Sequence, residues 1–146
     1  MSEYARIACN NFTKGCNCAQ SVLCAFCDKT NFDYHASMKL ASSFGGGMGR
    51  LREVCGAVSA MFMVAGILKG YDTAGDDVGK AKHYQLIQEL ANKFKAKHGT
   101  IICRELLGID GVDSPIPSKR TPEYYASRPC VKFIQSAAEI IEAELL

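Results

Sequence analysis

At 146 residues the chain is sized for a single domain, residues 1–146, that can bury roughly 70% of its unfolded surface. Folding therefore does not depend on disulfides or metal, and eight cysteines, about 5% of the chain, fall below the ~8–10% of a disulfide scaffold. A net charge of +2 from 17 basic and 15 acidic residues gives no electrostatic footprint for nucleic acid.

The first residues, Met1-Ser2-Glu3-Tyr4-Ala5-Arg6, are amphipathic at once and contain no apolar signal core, so a reducing cytoplasmic location is expected. Ala19, Val22, Leu23 and Phe26 then recur at helical spacing, with Asn17 as the N-cap. Leu40, Ala41 and Phe44 suggest a further helix, ended by Gly45-Gly46-Gly47. Residues 54–68 read VCGAVSAMFMVAGIL. That run is shorter than the ~20 residues of a membrane span, and charges flank it closely, so a central helix buried on all sides explains it. Ile87, Leu90, Ala91 and Phe94 mark a longer helix with Asp76 and Asp77 at its start and His98-Gly99 at its stop. Residues 109–118, IDGVDSPIPS, read as a surface loop; the sharper reading is a flap, because the loop separates two cysteine-bearing helices. Val131, Ile134, Ala138, Ile141 and Leu145 form the last stripe. No segment alternates as a strand does. The expected fold is an all-α bundle of five to seven helices around a buried central one.

Cysteines carry the chemical signal. Cys18, Cys55, Cys103 and Cys130 each fall where a different helix is expected to begin. Helix N-termini offer free N–H donors and a partial positive charge, which favour thiolate over thiol. Four such positions suggest one assembled site: a metal or iron–sulfur centre, or a redox-active thiol pair. The dipole alone, at about 0.3–1 kcal/mol, lowers a thiol pKa by less than one unit. Four crowded thiolates would repel one another, so a cation is expected among them, and iron or zinc can supply it. Zinc commonly draws on CxxC pairs in short loops. These four are 37, 48 and 27 positions apart, which favours redox use over structural zinc.

The segments Gly15-Cys16-Asn17-Cys18-Ala19-Gln20, Phe44-Gly45-Gly46-Gly47-Met48-Gly49-Arg50, Cys55-Gly56-Ala57 and Cys103-Arg104-Glu105-Leu106-Leu107-Gly108, followed by Cys130, resemble in order the C–GCAxxG–C–C family of small redox-active proteins. The resemblance implies a helical protein with four recurrent cysteines, here Cys18, Cys55, Cys103 and Cys130, and the ability of related domains to hold an iron–sulfur cluster. Ala60 stands where the motif's last glycine would be. That departure points to a packing role for the position, since alanine is favoured in helices. Cys9, Cys16, Cys24 and Cys27 lie outside the pattern.

The glycine loop is no phosphate loop, since GxxxxGK[ST] is absent. It reads either as a tight turn alone or as a turn that also presents backbone N–H groups and Arg50 to an anionic centre. The candidate cofactor contacts are therefore Gly46, Gly47, Arg50 and Gly56. Cys24-Ala25-Phe26-Cys27 matches CxxC but falls late in a helix with no βαβ context, so both read as ordinary helix cysteines. His35, His83 and His98 have no ligand spacing and read as surface or capping residues, and Lys93, Lys95 and Lys97 as a solvated face. The function expected is a redox protein with a [2Fe–2S]-type cluster on the four cysteines, transferring electrons to or from a partner protein. The alternatives are a metal-free thiol–disulfide protein or sensor, and a helical interaction domain with structural zinc.

Overall fold

The computed structural model describes all 146 residues. It is helical, and the only extended pairing is a single antiparallel bridge between Val54 and Ile102. Ten helical segments follow one another: α1 Glu3–Thr13, α2 Cys18–Ala25, α3 Cys27–Thr30, α4 Tyr34–Ser42, α5 Gly45–Met48, α6 Gly56–Lys69, α7 Asp77–His98, α8 Cys103–Leu107, α9 Pro122–Ser127 and α10 Cys130–Leu145. α5 is a turn with left-handed glycines inside it, which leaves nine helices proper. The all-α class agrees with the sequence, but the count exceeds five to seven. The excess is short: α3, α8 and α9 have four to six residues each, too few to show a 3.6-residue period.

α6 is the axle, packed on α2, α10 and α7, while α1 lies across α2 and α10. Its first six residues, Gly56 to Met61, are all buried. Toward the C-terminal end the burial is one-sided, with Phe62 and Met63 half-buried and Gly66 exposed. The expectation of a helix covered on every face holds for its first half only. No helix is long and apolar enough to cross a membrane. Ala60 is fully buried, so its methyl group fills space in the core.

Local signals account for the helix ends. Asn17 caps α2 by a reciprocal pair: its side chain accepts from the Gln20 N–H at 2.8 Å, and the Gln20 side chain accepts from the Asn17 N–H at 3.1 Å. Asp76 caps α7, and Gly99 ends it in the left-handed region at φ 86°. The Leu40–Ala41–Phe44 stripe is only partly realised: Ala41 is buried, Leu40 is exposed, and α4 stops at Ser42 before Phe44. His98 ends α7, as expected of a capping residue, but is half-buried. Its Nε2 pairs with Ser136 Oγ at 2.8 Å, and its ring packs on Phe94 and Phe133 at 4.7 and 5.0 Å. Burial accordingly lowers its pKa.

Asn17 also donates through Nδ2 to the Ser42 carbonyl at 3.3 Å, tying α2 to the end of α4. Asn17→Ala is expected to lower stability by about 1–2 kcal/mol, a reduced urea midpoint at unchanged m-value. Asn17→Ser, which keeps the cap acceptor, should recover most of that loss.

Candidate thiol site

The four cysteines that the sequence singled out are brought to one place. Cys18, Cys103 and Cys130 are the first residues of α2, α8 and α10, and Cys55 is the N-cap of α6. All four line a partly open cavity of about 190 Å³. Cys55, Cys103 and Cys130 are buried and Cys18 is half-buried.

Two backbone devices position them. Residues 52–55 and 101–104 run antiparallel as a short ribbon. Across it the Cys55 N–H donates to the Ile101 carbonyl at 2.8 Å, the Cys103 N–H to Glu53 at 2.5 Å, and the Arg104 N–H to Arg52 at 3.2 Å. The ribbon thereby fixes the start of α6 against the start of α8. Ahead of it, Gly46, Gly47, Met48, Gly49, Arg50 and Arg52 all have φ between 60° and 69°. Left-handed backbone costs a side-chain-bearing residue about 1–2 kcal/mol, and Met48, Arg50 and Arg52 bear that cost here. Such strain persists where surrounding contacts over-determine it.

The glycines in this region are there for proximity. A Cβ on Gly47 would lie 2.6 Å from the Cys103 Cβ and 2.9 Å from the Arg52 Cα. One on Gly56 would lie 2.8 Å from the Phe44 carbonyl oxygen and 3.2 Å from the Cys18 Cβ. Gly46, Gly47, Gly56 and Arg50 all line the cavity. The guanidinium that reaches a thiol, however, is not that of Arg50. Arg52, 4% exposed, donates through Nη1 to Cys103 Sγ at 3.6 Å. Its Nε and Nη2 hold Asp113 at 2.8 Å each. Arg50 turns instead to the 109–118 segment, donating to the Ser114 carbonyl at 2.7 Å and the Ser118 hydroxyl at 3.4 Å.

Residues 109–118 are an exposed loop, as expected, and the same contacts fasten that loop over the cavity. The segment is a strap: Asp113 is anchored on Arg52, its N–H donates to the Arg50 carbonyl at 3.1 Å, and Pro117 and Ser118 wall the cavity. Just beyond it, Arg120 donates to the Phe12 and Cys16 carbonyls at 3.1 Å each and lies over the Phe12 ring at 4.6 Å. Arg128 covers Tyr124 at 5.2 Å. Arg52, Arg120, Arg128 and Tyr124 all line the cavity, and no carboxylate does. Sequence reasoning missed these four residues. The one cue for Arg128 is its place two positions before Cys130; Arg52 and Arg120 are indistinguishable from surface arginines without the fold.

The thiols respond unequally to these surroundings. Interaction with the facing Cys18, helped by Arg128, Arg52 and Arg120, brings Cys130 down to about 7 against the effect of burial. The same interaction, with burial, pushes Cys18 well up. Burial raises Cys55 to about 12, although the Val58 and Ala57 N–H groups pull the other way. Burial also raises Cys103, opposed by Arg52. Without a metal, the cavity thus pairs one thiolate with one facing thiol, and the arginines are the neighbouring positive charge. No three His, Cys, Asp or Glu side chains converge tightly enough to form a ready metal site.

Two measurements follow. In reduced, metal-free protein, iodoacetamide should alkylate Cys130 first, its rate rising through about pH 7 as the thiolate forms. Cys18→Ala should move that midpoint upward. Gly47→Ala should destabilise the protein by roughly 2 kcal/mol or more, because overpacking adds to backbone strain. Gly111→Ala, where φ is 69° and nothing lies within 4 Å, isolates the strain and should cost about half as much, both read from urea midpoints.

A family model described as "Putative redox-active protein (C_GCAxxG_C_C)" matches residues 16–144, from ahead of Cys18 to the last turn of α10. No curated protein and no solved structure matches the chain. With that match covering nearly the whole chain and all four cavity cysteines, the protein belongs to the C_GCAxxG_C_C family of putative redox-active proteins.

Proposed function

We propose that the four-cysteine cavity is a redox centre in which Cys130 and Cys18 form the working dithiol. The observation that carries this reading is the facing Cys18–Cys130 pair at the arginine-lined cavity: the Cys18 thiol, helped by the arginines, brings Cys130 down to about 7, while Cys18 itself is pushed up and keeps its proton. A thiolate beside a protonated resolving thiol is the arrangement that disulfide exchange requires. Cys130 attacks one sulfur of a partner's disulfide and expels the other as thiolate. Cys18 then displaces the partner from the mixed disulfide, closing Cys18–Cys130. One dithiol is oxidised and one disulfide reduced to two thiols: the Cys18 proton passes to one leaving thiolate, and the other takes from solvent the proton that Cys130 had lost on ionising. Arg52, Arg120 and Arg128 stabilise the thiolate and favour an anionic partner group.

A second reading, iron–sulfur ligation, is favoured by a different observation: all four thiols share one cavity with no carboxylate in its lining. The donor set fits such a cluster, and Cys18, Cys55, Cys103 and Cys130 would hold it. When bound, the group would supply one-electron transfer. The arginines then serve as charge partners for an anionic centre.

Protein purified without oxygen separates the readings. For the dithiol, colourless metal-free protein should lose two of the four cavity thiols on mild oxidation, as a Cys18–Cys130 link, with Cys55 and Cys103 remaining titratable. Cys18→Ser should leave Cys130 as a trapped mixed disulfide with the oxidant. Visible absorbance with iron and acid-labile sulfide, lost on Cys→Ser at each of the four, would move the assignment to the cluster. Stoichiometric zinc with no redox response would sink both.

A further inference from the structure

Cys24 and Cys27 lie outside the cavity, at the other end of α2 from Cys18. Cys24 sits in the last turn of α2, and Cys27 opens α3 after Phe26, whose φ of −108° and ψ of 18° mark a bend. Three residues apart on a near-helical path, their Cα atoms are about 5 Å apart, inside the range a disulfide spans. Their thiols interact with each other, and Cys27 Sγ also donates to Ser37 Oγ at 3.6 Å. Burial is unequal: Cys24 is buried and Cys27 half-buried. That difference casts Cys27 as the attacking thiol and Cys24 as the resolving one.

Both cysteines open onto a surface groove of about 390 Å³ formed with α1. Tyr4 and Ile7 supply its apolar wall, and Glu3 and Asp28 its charge. The wall is fixed, because the Tyr4 ring stacks on Phe26 at 4.5 Å and its hydroxyl donates to Asp28 at 2.6 Å. Glu3 is paired with Arg6 at 2.6 Å, which leaves Asp28 as the groove's unbalanced charge. Nothing in the arginine-lined cavity is shared with this groove. The two surfaces are opposite in sign.

We propose that Cys24 and Cys27 are a second dithiol centre of this protein, one that exchanges with disulfides carrying positive charge. Cys27 attacks one sulfur of the disulfide, forming a mixed disulfide and releasing one thiol, which takes the proton Cys27 gave up. Cys24 then attacks the Cys27 sulfur, releases the second thiol with its own proton, and closes Cys24–Cys27. One dithiol is oxidised and the small disulfide is its oxidant.

The test uses the full chain with cystamine, a cationic disulfide, and oxidised glutathione, an anionic one. Chymotryptic peptides suit the mapping, since cleavage after Leu23 and Phe26 parts Cys16 and Cys18, Cys24, and Cys27 from one another. Cystamine should link Cys24 to Cys27, several-fold faster than oxidised glutathione does at low salt, with the difference shrinking as salt is added. Cys24→Ser should accumulate cysteamine on Cys27, and Cys27→Ser should leave Cys24 unmodified; far-UV circular dichroism checks that both variants fold. Cysteamine resting on Cys27 of the unaltered protein without the internal link would overturn the proposal, as would a Cys16–Cys24 link. Equal rates for the two disulfides would overturn the charge preference. Because Cys18 and Cys130 report on different peptides, failure here is distinguishable from failure of the cavity assignment.

Discussion

One buried guanidinium holds the site together. Arg52 leaves its backbone in the left-handed region, yet its side chain and carbonyl together tie two remote parts of the chain to the loop. It grips Asp113 of the strap, donates to the Cys103 thiol, and through its carbonyl accepts from the N–H and the side chain of Arg104. A charge so deeply buried is tolerated only when paired and hydrogen-bonded. The strap, the ribbon and the start of α8 are therefore linked through one residue. Displacing Asp113 would uncover the cavity and leave that charge without its anion at the same time. The unfavourable backbone of the loop is offset by the contacts it makes possible, because only this path brings Arg52 and Gly47 against the Cys103 helix.

Thiolate chemistry in the cavity depends on the facing thiol, and then on those arginines, more than on helix ends. A helix dipole supplies about 0.3–1 kcal/mol at its N-terminus, and α8, with five residues, has little dipole to offer. Burial pushes in the opposite direction at Cys55 and Cys103 and wins there. Only at Cys130, where a facing thiol and three guanidinium groups add together, is the thiolate favoured. Positioning cysteines at helix starts thus works mainly as geometry: it points four side chains from four elements at one space.

Much of this was legible in the sequence because it is local. Capping at Asn17, the stop at Gly99 and the stripes of α7 and α10 follow from nearest-neighbour rules, and the structure repeats them. The four cysteines were legible for the same reason, since helix starts leave capping and periodicity marks. What was not legible rests on contacts between residues remote in sequence. Arg52 meets Asp113 across 61 positions and Arg120 meets Phe12 across 108; neither pairing has a local cue. Residues 109–118 have the composition of a loop, and only the fold shows that arginines fasten the loop across the cavity. Arg50 stood out in the sequence because it borders the glycines, but both arginines line the cavity and only Arg52 reaches a thiol, a difference no local cue gives.

The two thiol pairs share α2 but cannot act as a direct relay. Cys18 and Cys24 are six residues apart, which on an α-helix is about 9 Å along the axis and well over a quarter-turn around it. Thiol–disulfide exchange needs the attacking sulfur to reach bonding distance of the disulfide, so a rigid helix keeps the pairs apart. Cys16, the nearest candidate for a go-between, turns toward α4, with its sulfur 4.0 Å from the Met38 thioether. Communication would have to pass through a diffusing partner or through the packing of α2 itself. Opposite charge at the two openings argues for the former, since it separates the partners each proposed site would admit: a dithiol partner at one opening would give up electrons, and a disulfide partner at the other would receive them.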